Sequence, residues 1–150
     1  MNSPVLAETR TSSGRRKARV VALQVLYEVD GARHDPFSAF ERILSLSPLA
    51  PPTEAFARHL IEGVLENRER IDKTISTFAP TWPIGQMAAV DRNILRVAIF
   101  ELSIGGETPP KVAINEAVEL GKVFGSDSSP RFVNGVLGSV MEAANTGGES

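Results

Sequence analysis

Apolar residues recur at helical spacing along nearly the whole chain, and proline and glycine cut that rhythm into short segments. The clearest run follows the break Trp82-Pro83-Ile84-Gly85. Met87, Val90 (or Asp91), Ile94, Ala98 and Leu102 share one helical face, widened by Leu95, Val97 and Ile99. Gly105-Gly106 ends this run and Pro109-Pro110 blocks its continuation. Earlier, Asp35-Pro36 is a helix start, with Asp as N-cap and Pro in the first turn. Phe37, Phe40, Ile43 and Leu44 give that helix its apolar face. Residues 47–52, with three prolines, read as a loop. Thr53 then caps a helix carrying Phe56, Leu60, Ile61, Val64 and Leu65, and Ile71, Ile75 and Phe78 mark another before Pro80. Val112 to Phe124 forms the next, closed by Gly125 at C′, and Ser129-Pro130 opens the last. No window sustains the alternation of a strand. The predicted fold class is all-α, a compact bundle of six to seven helices.

Charge is distributed unevenly. Residues 9–27 hold Arg10, Arg15, Arg16, Lys17 and Arg19 and no acid; with a formal net charge of −2 for the chain, this +5 leaves −7 elsewhere. Such asymmetry points to a polyanionic partner docking at one place. Ser13 fits the N-cap of a helix over 15–29. In it Ala18, Ala22, Val25 and Val29 fall on one side, and Val20, Leu23 and Tyr27 on another. Lys17, Gln24 and Glu28 form the polar strip between them. A helix apolar on two sides belongs inside a bundle. Residues 1–13 read as a flexible basic arm and residues 144–150 as a frayed tail.

Composition narrows the chemistry. A chain of 150 residues is one domain by length. With no cysteine, it has no disulfide, thiolate zinc site or cysteine nucleophile. The first residues lack the apolar core of a signal peptide, and no run approaches the ~20 apolar residues of a membrane span. His34 and His59 are the only histidines, and neither has a second ligand at metal spacing. Phosphate-loop and dinucleotide-binding glycine motifs are absent. Glu116 and Glu119 read as solvated-face charge rather than an acid–base pair. Gly135 and Gly138 read as positions where another helix comes close. The expectation is a cytoplasmic protein that is not an enzyme, with no cofactor and no metal.

What the sequence offers instead is nucleic-acid chemistry. Arg92 and Arg96 lie one helical turn apart beside an apolar face. Lys122, Arg131 and Phe132 flank the loop from Gly125 to Ser129. Arginine supplies phosphate contacts and planar stacking, while phenylalanine and tyrosine supply platforms for unpaired bases. A recognition groove requires these surfaces and the arginine-rich start to converge.

Several stretches resemble one family. Val90-Asp91-Arg92-Asn93-Ile94-Leu95-Arg96-Val97-Ala98 with Glu101-Leu102 is similar to the middle of the bacterial transcription antitermination factor NusB family. Pro110 to Leu120 (PKVAINEAVEL) is close to that family's most recognisable segment. Phe124-Gly125 and Arg131 to Leu137 match its ending. Arg15-Arg16-Lys17-Ala18-Arg19 leading into Ala22 to Tyr27 matches its start. The matches keep their order from residue 15 to about 140, while residues 31–80 agree in pattern and length only. The resemblance implies two small helical bundles packed together, with a single NusB-like RNA-binding domain at 14–143. It implies a non-catalytic role: binding single-stranded boxA RNA of ribosomal RNA leader transcripts together with NusE, a small-subunit ribosomal protein, within the RNA polymerase antitermination complex. By position, Arg15, Arg16, Lys17, Arg19, Tyr27, Arg92, Arg96, Lys122, Arg131 and Phe132 would bind RNA, with Phe132 stacking on a base. Asp91 and Glu101 would lie toward the protein partner.

Two other readings compete. Domains of this helical type also precede the catalytic part of some ribosomal RNA methyltransferases, but nothing here is built to bind S-adenosylmethionine, and the chain ending just past the last helix fits a free-standing protein. A protein-interaction module that hides the basic surface in a homodimer is the second alternative.

Overall fold

Proline placement explains most of the helix starts. The computed structural model describes the backbone of residues 4–147 and the side chains of residues 13–146. It contains α1 (Pro4–Val29), α2 (Pro36–Leu46), α3 (Pro51–Glu66), α4 (Arg68–Phe78), α5 (Ala89–Phe100), α6 (Pro110–Phe124) and α7 (Ser129–Gly147). A 3₁₀ turn at Ile84–Gln86 precedes α5, and a π-helical turn at Glu101–Gly105 follows it. Among the described residues there is no strand, so the all-α class is confirmed. Prolines open α1, α2, α3 and α6, where a missing N–H is not needed by the helix. At α2 the Asp35 carboxylate caps as expected, accepting from the Ser38 amide at 2.9 Å.

Several boundaries differ from the sequence reading. Ser13 does not cap α1, because the helix already begins at Pro4 and takes in residues expected to form a flexible arm. Residues 1–3, and all side chains before Ser13, lie outside the described residues. Thr53 does not cap α3 either: Pro51 and Pro52 occupy its first turn, and Ala50 C=O accepts from Glu54 N–H at 2.9 Å. At the other end α7 runs on to Gly147, past the expected tail start at residue 144. Ala143 and Ala144 favour the helix, and Thr146 Oγ1 donates to Glu142 C=O at 2.9 Å.

The chain forms two compact units, Met1–Glu62 and Gly63–Ser150, with the boundary inside α3. In the first unit α1 packs on α2, burying Ala18, Ala22 and Val25 of one and Phe40 of the other. An ion pair from Arg42 to Glu28 ties the two helices together. The expected second apolar side of α1 is only partly buried: Leu23 is covered, but Val20 is half-buried and Tyr27 exposed, while Val21 and Leu26 widen the first side into one broad buried face.

In the second unit α5 is the axis. Every residue from Asn93 to Phe100 is buried, and α4, α6 and α7 pack around it. Phe100 lies against Gly63, where the Cβ of any other residue would overlap its ring. The α5 segment ends at Gly106, whose φ of 68° is the left-handed conformation that glycine adopts without strain. Gly125 closes α6 in an extended conformation rather than the left-handed one expected at C′. Gly135 and Gly138 also differ from expectation: both face open space instead of a neighbouring helix.

Candidate nucleic-acid interface

The cations of α1 fall at different depths because its broad buried face takes in Arg19 but not Arg16 or Lys17. Arg16 and Lys17 are exposed, Arg15 is half-buried, and Arg19 is only 4% exposed. Arg15 and Arg19, one turn apart, both lie against the Phe56 ring of α3, with Cζ at 4.5 and 5.3 Å from its centroid. Tyr27 is 52% exposed near the end of α1, so its ring is accessible to a ligand. Arg19 thus departs from the expected row of surface cations: the helix rotation that buries Val25 and Ala22 also takes Arg19 inward.

In the second unit the expected arginine pair has a different role. Arg96 is buried, and its guanidinium grips Asp72 of α4 with two hydrogen bonds, Nε to Oδ1 at 2.8 Å and Nη2 to Oδ2 at 3.0 Å. Its remaining arm donates to Asn93 Oδ1 at 3.1 Å. A guanidinium so occupied is a structural cation, not a surface one, and the expectation that Arg96 meets RNA is corrected. Arg92 is half-buried, and its Nη1 donates to the carbonyls of Ile84 and Met87, each at 2.8 Å. It fastens the 3₁₀ turn to the start of α5. Glu101, expected toward a protein partner, is buried and accepts from Thr108 Oγ1 at 2.7 Å, which holds the loop after the π turn. Each of the three is thus engaged within its own unit by α4, the 3₁₀ turn or the loop after the π turn.

Around the α6–α7 loop the expected residues come together differently. Phe132 and Asp91 line one cleft of about 480 Å³, with Trp82, Met87, Ser126 and Ser128 among its other walls. Trp82 is 54% exposed at its rim. Asp91 Oδ1 is buried in this unit and has no hydrogen-bond partner among the described residues. An unsatisfied buried acceptor is costly, and this oxygen is enclosed rather than open to the cleft. The loop is held by Ser129, whose buried Oγ accepts from Ser126 N–H at 2.9 Å. Arg131 is exposed, and Lys122 is exposed in an ion pair with Glu119 at 3.0 Å. Neither lines the cleft.

Two contributors carry little sign of their role in the sequence. Phe56 has the spacing of an ordinary core position, since the α1 cations that reach it are far away in the chain. Trp82 reads only as part of a break; a tryptophan beside Pro83 in a loop is the signal that could place it at a site. Among the described residues no cluster of three or more His, Cys, Asp or Glu is arranged to hold a metal, and no helix is long and apolar enough to cross a membrane.

An all-helical protein of two units, with a cationic helix on one and an aromatic cleft on the other, falls in the class of small helical proteins with nucleic-acid-binding surface chemistry. The family model for the NusB family matches residues 16–142. The transcription antitermination protein NusB of Chloroflexus aggregans is 46% identical over 138 residues, covering 91% of this chain and 92% of that protein. Its counterpart in a Roseiflexus species is 48% identical over 132 residues, covering 87% and 93%. The chain belongs to the NusB family. Among solved structures, T. maritima NusB superposes with a TM-score of 0.80 at 31% identity, covering 95% of this chain and 93% of that one. A chain from the crystal structure of antitermination factors NusB and NusE in complex with dsRNA gives 0.81 at 26% identity, covering 87% and 98%.

Proposed function

We propose that the protein is a non-enzymatic, cytoplasmic transcription antitermination factor. It binds the boxA element of ribosomal RNA leader transcripts together with NusE and joins the RNA polymerase antitermination complex. The observation that carries this reading is the Trp82–Phe132 cleft, with Asp91 in its wall. Aromatic walls accept the face of a base, and a carboxylate accepts from a base N–H. A base must leave its stack to enter such a cleft, so the preferred ligand is single-stranded; a duplex offers only its backbone. Arg15, Arg16 and Lys17 on α1 supply the phosphate contacts, with Tyr27 on the same helix as a second ring. The solved relative in complex with NusE and dsRNA supports NusE and RNA as the partners, not the choice of strand state.

Two variants test this by fluorescence anisotropy with a boxA oligonucleotide. Phe132→Ala removes a stacking ring and is expected to cost about 1–3 kcal/mol of affinity. Replacing Arg15, Arg16 and Lys17 with Ala is expected to lower the salt slope by roughly 0.7 for each phosphate no longer neutralised, with helicity retained. Unchanged affinity and slope in both variants would refute the reading.

A further inference from the structure

Phe56 touches neither expected ligand, yet both partly hidden arginines of α1 rest on it. We propose that Phe56 is a positioning residue for RNA binding: its ring holds the Arg15 guanidinium in place on α1, ready to meet a phosphate. The inference rests on the reading of α1 as the phosphate-binding helix.

The geometry supplies an anchor and a cation. Phe56 itself is buried, so its ring is fixed by its surroundings. The approach of α1 to α3 is fixed too, because Gly14 is buried and a Cβ there would lie 2.5 Å from Thr53 Oγ1. The next residue is Arg15, with Cζ 4.5 Å from the Phe56 centroid, inside the range of about 6 Å for cation–π attraction. Arg19 shares the ring at 5.3 Å but is too buried to reach a ligand. Of the two, Arg15 alone keeps the exposure a phosphate contact requires.

The kind of anchor matters. A carboxylate holds an arginine by neutralising it and occupying its donors, as Asp72 does to Arg96. A ring face holds the cation while leaving its charge uncancelled. A long side chain loses rotamer freedom when it binds, and part of that loss is already incurred at Arg15 on folding. Phe56 therefore raises RNA affinity without touching RNA.

A double-mutant cycle over Phe56→Leu and Arg15→Ala tests this, with a single-stranded boxA oligonucleotide titrated at several salt concentrations. Phe56→Leu is expected to weaken binding about two- to five-fold with the salt slope unchanged, since Arg15 still reaches its phosphate but is less prepared. Arg15→Ala is expected to lower the slope by about 0.7. Adding Phe56→Leu to Arg15→Ala should change affinity no further, and Phe56→Tyr should bind like the parent. An equal loss from Phe56→Leu with and without Arg15, or no loss at all, would overturn the proposal, as would a Tyr variant as weak as the Leu variant. If Arg15→Ala leaves affinity unchanged, the phosphate-binding role of α1 fails and this inference with it. Melting curves accompany each protein, and Phe56→Met takes the place of Phe56→Leu in the cycle should the latter not fold.

Discussion

Asp72 shows how one side chain decides the role of another. By forming two hydrogen bonds to Arg96 it lets a guanidinium sit in the packed interior of the second unit. Removing it takes two charge-assisted hydrogen bonds from a buried cation. A wholly buried pair broken this way costs about 3–5 kcal/mol; with Asp72 itself 24% exposed, water offsets part of that, and Asp72→Ala is expected to cost about 2–3 kcal/mol in urea unfolding. RNA affinity of the folded variant should be unchanged; a large affinity loss would return Arg96 to the binding surface. The spacing of Arg92 and Arg96 is legible in the sequence, but their direction is not. It depends on a carboxylate 24 residues away on α4 and on backbone carbonyls of a 3₁₀ turn, neither of which enters a local pattern. Asp91 and Phe132, expected on different surfaces, instead line one cleft.

Helices are legible where apolar spacing and punctuation agree. Among the described residues the seven helices overlap the segments the pattern marks, although α1 starts well before residue 15, and the starts of α2 and α7 fall on Asp35-Pro36 and Ser129-Pro130. Their ends are less legible. Pro51 and Pro52 have the look of loop residues, yet a first turn tolerates them because its amides bond to nothing inside the helix. Glycines are harder still, since only the neighbouring element shows which of them is crowded. Gly63→Ala drives a methyl into the Phe100 ring and is expected to destabilise by about 1–3 kcal/mol. Gly135→Ala, in open space within α7, is expected to stabilise by about 0.4–1 kcal/mol through reduced backbone entropy of the unfolded chain. Urea titrations of the two variants check both signs; matching shifts in one direction would contradict the packing described for α3 and α7.

At the scale of the molecule, an acidic protein must bind a polyanion with cations gathered in one place. The net charge of −2 would repel RNA at a distance, and the α1 cluster reverses that only locally. Binding by this protein alone is therefore expected to be modest and strongly salt-dependent, with sequence preference supplied by rings and polar groups rather than by charge. The asymmetry of charge is visible in the sequence. The cleft is not, because Trp82, Asp91 and Phe132 come from three separate segments that only folding assembles.

If, as proposed, α1 cations meet phosphates and the Trp82–Phe132 cleft takes an unpaired base, the protein must discriminate among RNAs, which makes comparative titration the most direct trial. Anisotropy with single-stranded boxA, a scrambled strand of equal length and a duplex, each with and without NusE, should rank boxA first and widen its lead when NusE is added. Equal binding of all three ligands in both conditions would leave a nonspecific cationic patch and contradict the account.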